Sequence, residues 1–193
     1  MSQSHASDPG KIRLSEYKLK ILRPDLYGLQ ALWRSAQEKM GKKSDDEIGY
    51  ITRVLERGDS RAAVVVSTEP LLVAAYTDEM DCVAVLKFPQ NFVSVYALEV
   101  GSRLLTVNFY GELPLSADLI AGPRDFKRWG RFHPAIADFL SDDLERIATR
   151  KAEISEGEWA RCFTMGQEYL KLKPKVARDG RPGKSNQPAV PYE

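Results

Sequence analysis

The sequence has little of what most active sites require. It contains two cysteines and two histidines in 193 residues, and Cys82 and Cys162 do not have the spacing of a zinc site or a redox pair. The patterns G-x-S-x-G, G-x-x-x-x-G-K-[ST] and G-x-G-x-x-G are all absent. A nucleophile elbow, a phosphate loop and a dinucleotide-binding loop are therefore missing. These absences argue against an enzyme, and they predict no cofactor and no metal.

Long apolar runs are also missing. No stretch is long enough to cross a bilayer, and the N-terminus lacks the apolar segment of a secretory signal. We therefore expect a cytoplasmic protein without a membrane partner. The net charge is only +1, but it is unevenly spread, because both ends and segment 122–134 are basic and the rest is acidic. Such basic ends suit an anionic partner, although they are more often solvated tails.

The composition that is present is that of a globular protein. Apolar residues make up 43% of the chain and charged residues 28%, which is ordinary for one independently folding domain. Residues 1–10 are small and polar, and they predict a disordered leader. Residues 174–193 are basic and rich in proline and glycine, and they predict a disordered tail. The single domain is expected to span residues 11–173.

A run of strands occupies the middle third of the chain and organises the predicted fold. Its segments are apolar and β-branched, and the connections between them are too short for parallel crossovers, so they predict an antiparallel meander of five or six strands. The first two segments are apolar on both sides, which predicts central strands covered on both faces. The predicted strands are Ala62–Ser67, Leu71–Thr77, Cys82–Phe88, Phe92–Val100 and Arg103–Tyr110.

Amphipathic helices flank this run. Two are predicted before it, one from Pro24 to Gly41 and one after the S-x-x-E capping box that begins at Ser44. Two or three follow it, the last of them capped by a second box at Ser155. Between the leader and the first helix, residues 12–22 alternate and predict a short strand or an extended lead-in. The fold class is therefore α+β, with the helices packed mainly on one face of the sheet.

The last predicted hairpin offers a candidate contact surface. Gly101 and Ser102 favour a type II′ turn, and the resulting register puts Leu98 and Val107 on the core face. The opposite face mixes apolar and hydrogen-bonding groups, as protein contact surfaces do. The alternative is that a helix covers this face. The candidate contact residues are Val93, Val95, Leu104, Thr106, Asn108 and Tyr110.

Segment 122–134 interleaves cations with aromatic rings. Guanidinium groups can pair with phosphates, and exposed rings can stack on bases, so this composition suits single-stranded nucleic acid or a phosphorylated ligand. The alternative is a loop whose rings pin it to the sheet while its cations face water. The candidate anion-binding residues are Arg124, Lys127, Arg128, Trp129, Arg131 and His133.

Two further patterns offer chemistry. His133 could act with a cysteine or a serine in a small hydrolase, provided that the fold brings the two side chains together. The acidic turn from Asp78 to Asp81 offers oxygen ligands, but it lacks the glycine and the spacing of a calcium loop. Solvated hairpin turns have the same composition.

The sequence does not identify the function, and it ranks three hypotheses. The first is a non-catalytic binding or adaptor module that presents a sheet face or edge to a protein partner or to its own copy. The second is a binder of nucleic acid or of a phosphate ligand through segment 122–134. The third is a small cysteine or serine hydrolase that uses His133.

Overall fold

The computed structural model describes residues 8–28, 47–111, 116–122, 129–183 and 190–192, and it has an α+β architecture. The helices are α1 (Glu16–Leu22), α2 (Glu47–Arg57), α3 (Phe92–Val95), α4 (Leu144–Glu153) and α5 (Glu156–Leu172), with 3₁₀ turns at Pro24–Leu26 and Ala137–Phe139. The strands are β1 (Asp59–Thr68), β2 (Leu71–Thr77), β3 (Cys82–Lys87), β4 (Arg103–Gly111), β5 (Ile120–Ala121), β6 (Arg131–Ile136), β7 (Val176–Asp179) and β8 (Val190–Pro191). Within these described segments, no helix combines the length and the apolarity of a membrane span.

The sheet is mixed rather than purely antiparallel. Its strands follow the order β6-β4-β1-β2-β3-β7-β8, and β5 also pairs with β3. The predicted antiparallel run of β1, β2 and β3 is confirmed. However, β7 runs parallel to β3, with Leu86 opposite Arg178. The prediction of a purely antiparallel meander is wrong, because β7 follows α5 and the long connection permits a parallel pair.

The central strands are covered on both faces, as their unbroken apolar runs predicted. On β1, the alternate residues Ala62, Val64 and Val66 pack in one core with residues of α5. Ala63 and Val65 belong to the other core, inside the curl of the sheet. Every residue of β2 is buried, so neither face of this strand is open to a partner.

Residues 92–100 do not form the predicted fourth strand. They begin with α3 and continue into a turn. Phe92 and Tyr96 lie one helical turn apart, and their rings approach that of Phe139 at centroid distances of 5.1 and 4.8 Å. This aromatic cluster outweighs the strand propensity of the segment, which is weak and context-dependent.

The predicted hairpin is absent because residues 92–100 do not supply its first strand. Gly101 does have the expected positive φ, of 96°, but its amide donates to the carbonyl of Val65 on β1 (2.8 Å). The turn therefore leads β4 along β1, where Leu104 pairs with Ala63 and Thr106 with Arg61. The predicted register between the fourth and fifth strands is wrong.

The helices agree with their sequence signals where they are described. In α2 the predicted stripe of Ile48, Ile51, Val54 and Leu55 is buried at its last three members, whereas Ile48 is 36% exposed. At the start of α5, the side chain of Ser155 accepts from the amide of Glu158 (3.2 Å), as its capping box predicted. Residues 16–22, within the predicted strand or lead-in, are helical instead. Most of the helix predicted from residue 24 to 41, with the box at residue 44, lies outside the described residues.

Ordered structure extends into both of the predicted terminal segments. Pro9, in the predicted leader, forms a β-bridge with Asp59, and the Asp8 carboxylate pairs with Arg61 at 2.8 Å. Strand β7 lies inside the predicted tail. Pro9 and β7 therefore pair within the β-structure, although composition alone predicts that both segments are disordered.

A buried ion pair lies where the two ends of the curled, half-barrel sheet approach each other. Arg178 on β7 donates through Nε and Nη2 to Asp118 (2.5 and 3.0 Å) and through Nη1 to the carbonyl of Phe132 on β6 (2.8 Å). Burial alone would raise the pKa of Asp118, but the Arg178 guanidinium outweighs it and lowers the pKa. Through its bond to the Phe132 carbonyl, Arg178 therefore links β7 to β6.

Helix α5 lies very close to the sheet at Gly166. A Cβ atom at this position would stand 2.6 Å from Cβ of Ala74 and 2.7 Å from Cγ1 of Val66. Real Cβ contacts are longer, so glycine is required here by close packing rather than by backbone conformation.

Arg178→Met tests the ion pair between the sheet ends. The substitution removes the guanidinium from a buried carboxylate, and we expect it to lower the free energy of unfolding by roughly 3–5 kcal/mol. Urea denaturation followed by circular dichroism measures the change. Arg178→Met combined with Asp118→Leu is expected to recover most of the loss, because no buried charge remains. A double variant as unstable as the single one would contradict this account.

Gly166→Ala tests the close approach of α5. We expect a loss of about 1–3 kcal/mol from overpacking, offset only in part by the better helix propensity of alanine. Gly157→Ala is the control on the same helix, since the nearest atom to its new Cβ is Oγ of Ser155 at 3.8 Å. Urea denaturation should show no loss for this control, and equal losses for both variants would contradict the packing argument.

Candidate functional site

The predicted basic and aromatic segment is only partly described. Arg124, Lys127 and Arg128 lie outside the described residues. Trp129 is buried and stacks on Tyr110, with ring centroids 5.6 Å apart. Its ring is therefore packed inside the protein, as in the alternative in which the rings pin this segment to the sheet, and it is not exposed for stacking on a base. Arg131 is exposed on β6, and anion binding by the cations of this segment remains a prediction.

His133 lies on β6 and has no described nucleophile within hydrogen-bond reach. Its Nδ1 atom is buried without a hydrogen-bond partner, and burial, with Arg178 and Arg131 nearby, lowers its pKa to about 4. Among the described residues, no serine or cysteine forms a hydrogen bond with it. The Cys162 thiol instead lies against the carbonyls of Ala62 and Ala74, and burial raises its pKa.

The predicted contact face is not an exposed surface. Leu104, Thr106, Asn108 and Tyr110 on β4 are all buried, because β4 lies between β1 and β6 within the curl. Val93 and Val95 lie on α3 instead of on a neighbouring strand. Of the six residues, Val95 is the one with a largely exposed side chain, at 66%. Of the two alternatives that the sequence left open, the β4 part of this face is therefore the covered one.

Three of these β4 residues belong to a buried hydrogen-bond network. The Tyr110 hydroxyl donates to Oδ2 of Asp59 (3.0 Å) and lies 2.8 Å from Oγ1 of Thr77. Asn108 donates to the carbonyl of Tyr76 (2.9 Å) and accepts from Thr106 (2.9 Å). Hydrogen bonding of this kind is what makes buried polar groups tolerable.

Arg61 joins this network to the N-terminal residues. Its guanidinium contacts Asp78 (2.5 Å), Asp8 (2.8 Å) and Asp59 (3.1 Å). Burial would lower the pKa of Arg61, but these carboxylates raise it overall. Burial raises the pKa of Asp59 to about 6, although Arg61 opposes the shift. The network holds the chain at Asp8 against β1, which is a sufficient structural role.

The acidic turn from Asp78 to Asp81, which offered oxygen ligands for a metal ion, forms ion pairs with arginines instead. Asp78 pairs with Arg61, and Asp81 pairs with Arg161 of α5. Both carboxylates are therefore occupied by guanidinium groups. In the described segments no three side chains of the histidine, cysteine, aspartate and glutamate types are grouped so that they could hold a metal ion.

An open groove lies between α5 and β5. Its volume is about 450 Å³, which is within the range of ligand-binding clefts. Helix α5 buries Trp159, Cys162 and Tyr169 against the sheet and turns a different side toward the groove. The lining residues are Ile120, Gly122, Ala160, Arg161, Thr164, Met165 and Glu168.

A buried carboxylate fixes one end of this groove. Asp81 has a positive φ of 41°, accepts from the Tyr76 hydroxyl (2.9 Å), and binds Nε and Nη2 of Arg161 (2.6 and 2.5 Å). These contacts raise the pKa of Arg161 and orient its guanidinium. Gly122 fits beside Asp81 only because it lacks a side chain, since a Cβ there would stand 2.4 Å from Oδ2.

The groove lies beside an open part of the sheet edge. On β6 the outward carbonyl of Phe132 is occupied by Arg178, and Pro134, two residues on, has no N–H to offer in the same direction. On β5, Ile120 is paired with Val83 of β3. Alternation along the strand then directs the backbone N–H and C=O of Ala121 away from β3. Among the described residues, no strand pairs with this side of β5, which leaves it able to accept a further strand.

The sequence did not reveal this groove. Arg161 follows the buried Trp159 on α5, and nothing in the helical pattern distinguishes it from a solvated cation. The one residue in the sequence that could have pointed to the groove is Gly122, but because it precedes a proline, the pattern indicates only the start of the basic segment. Comparisons with protein-family models, with curated proteins and with solved structures found no match to the chain.

The raised pKa of Asp59 predicts a pH-dependent stability. Its folded-state pKa of about 6 lies above the usual 3.8, so the folded protein binds the proton more tightly than the unfolded chain does. The stability that Asp59 adds is therefore full below pH 4 and is lost as the pH rises through 6. We expect the difference in unfolding free energy between wild type and Asp59→Asn to fall by about 2–3 kcal/mol over this range.

Urea denaturation of both proteins between pH 4 and pH 7 measures this difference. The other titrating groups are common to both chains and cancel when the two curves are subtracted. A difference that stays constant, or that grows as the pH rises, would contradict the assignment of the shift to Asp59.

Proposed function

We propose that this chain is a non-catalytic binding module that takes up an extended segment of a protein partner in the groove between β5 and α5. The observation that carries the proposal is the open groove of about 450 Å³ beside the side of β5 with which no described strand pairs. Adding a strand to an exposed sheet edge is a common way to bind an extended peptide, because the main chain supplies hydrogen bonds and the side chains enter adjacent pockets.

The composition of the groove supports a peptide ligand. Ile120 and Met165 supply an apolar surface, and Thr164 supplies an exposed hydroxyl group. Arg161 and Glu168 add one group of each charge. A mixture of this kind resembles the contact surfaces that proteins use for one another more than it resembles an active site.

Because the faces of the sheet are covered, a partner is more readily bound in the groove beside β5 than on the β4 face that the sequence offered as a contact surface. The face that carries Asn108 and Tyr110 is filled by the protein itself, so a partner could reach it only after unfolding. The first hypothesis from the sequence allowed a partner to bind at either a face or an edge of the sheet, and the edge at β5 is the one proposed for binding. Binding of a phosphate ligand through Arg124, Lys127 and Arg128 remains a separate prediction.

Selection from a random peptide library displayed on phage, against the immobilised full chain, tests the proposal. Synthetic copies of the selected peptides are then titrated with the protein and followed by fluorescence anisotropy. We expect peptides whose affinity falls at least tenfold for Ala160→Trp, because the indole fills the groove. Ala160 is exposed, so the substitution should leave the fold intact, and circular dichroism checks this.

Ala148→Trp on α4 is the matched control. This position is also an exposed helical alanine, but it does not line the groove, and the selected peptides should bind this variant as they bind wild type. Failure to select any ligand, or ligands that bind Ala160→Trp as tightly as wild type, would refute the proposed groove.

A further inference from the structure

We infer that the groove selects an extended segment that presents an acidic, an apolar and a basic side chain at alternate positions, in that order from its N-terminus. The inference rests on the proposed function and names the chemistry of the partner segment. It follows from the charges at the two ends of the groove, from the surface between them and from the direction of β5.

The end of the groove near Gly122 suits an acidic side chain. Two nitrogens of Arg161 are held by Asp81, and the Tyr76 hydroxyl lies within hydrogen-bond reach of the same guanidinium. Because Asp81 is fully buried and the Arg161 side chain is 34% exposed, the guanidinium is anchored from inside while its exposed part lines the groove. A carboxylate is the natural acceptor for a donor oriented in this way.

The opposite end suits a basic side chain. Glu168 is exposed and forms no ion pair with any described residue. It lies two helical turns beyond Arg161, which corresponds to roughly 10 Å along the axis of α5. Met165 and Ile120 line the groove between these charges. The groove therefore presents a cation, an apolar surface and an anion in sequence.

In an extended chain, every second side chain points to the same side, so three alternate residues can face the cation, the apolar surface and the anion of the groove. Side chains at positions i, i+2 and i+4 share one face and cover roughly 13 Å, close to the separation of the two charged ends once the side chains lean inward. Strand β5 runs toward Gly122, and therefore toward the Arg161 end. An added strand in the more common antiparallel orientation starts at Arg161 and ends at Glu168, which puts its acidic residue first.

Short synthetic peptides with Asp, Val and Lys at alternate positions, separated by Thr, test the inference. The comparison peptides have Asn and Gln in place of Asp and Lys, or carry Asp and Lys in the reverse order. Isothermal titration calorimetry at low salt should give affinities roughly three- to tenfold tighter for the Asp-first peptide, as expected for two partly exposed ion pairs. The preference should shrink as salt is added.

Glu168→Lys provides the complementary test on the protein side. Glu168 is exposed and has no ion pair with a described residue, so we expect the fold to persist, and circular dichroism checks this. This variant should lose its preference for the Asp-Val-Lys peptide and prefer a peptide with Asp at both charged positions. Equal binding of charged and neutral peptides, a tighter reversed peptide, or an unchanged preference in Glu168→Lys would each overturn the inferred pattern.

Ala160→Trp separates this inference from the proposed function. If the peptides bind without regard to charge and Ala160→Trp weakens all of them, the groove binds segments but the charge pattern is wrong. If Ala160→Trp weakens none of them, the groove itself is not the binding site, and the proposed function fails together with the inference.

Discussion

The buried ion pair between Arg178 and Asp118 is the contact on which the shape of the sheet depends. Arg178 belongs to β7, and its guanidinium also reaches the Phe132 carbonyl on β6, so one side chain joins distant members of the strand order. Removing two charges from water is costly, and their mutual attraction compensates only in good geometry. A sheet that opened between β6 and β7 would separate the Phe132 carbonyl from its donor Arg178.

The curl gives the sheet an interior, and this explains the position of the polar side chains on β4. Tyr110 and Asn108 lie inside, where an unpaired hydroxyl or amide would be costly. They are accommodated because Asp59, Thr77 and the Tyr76 carbonyl supply partners within hydrogen-bond distance. The network thus follows from the closure of the sheet.

The same closure limits where a partner could bind. On β6, Arg178 occupies the Phe132 carbonyl and Pro134 has no N–H to donate, and both faces of β2 are covered. In the described part of the chain, the side of β5 away from β3 and the adjacent surface of α5 are not covered by another strand. There Asp81 orients Arg161 from beneath, so that a side chain that would otherwise be one more mobile surface cation becomes a fixed donor.

The sequence by itself determined the elements whose causes are local. Strands β1 and β2 follow from unbroken apolar runs, and the start of α5 follows from the Ser155 cap, because each signal acts within a few residues. Only the tertiary structure decided that Phe92–Val95 form a short helix against Phe139, and that Asp81 meets Arg161 across 80 positions. Such contacts depend on the curl of the sheet, and neither hydrophobic period nor propensity encodes that curl.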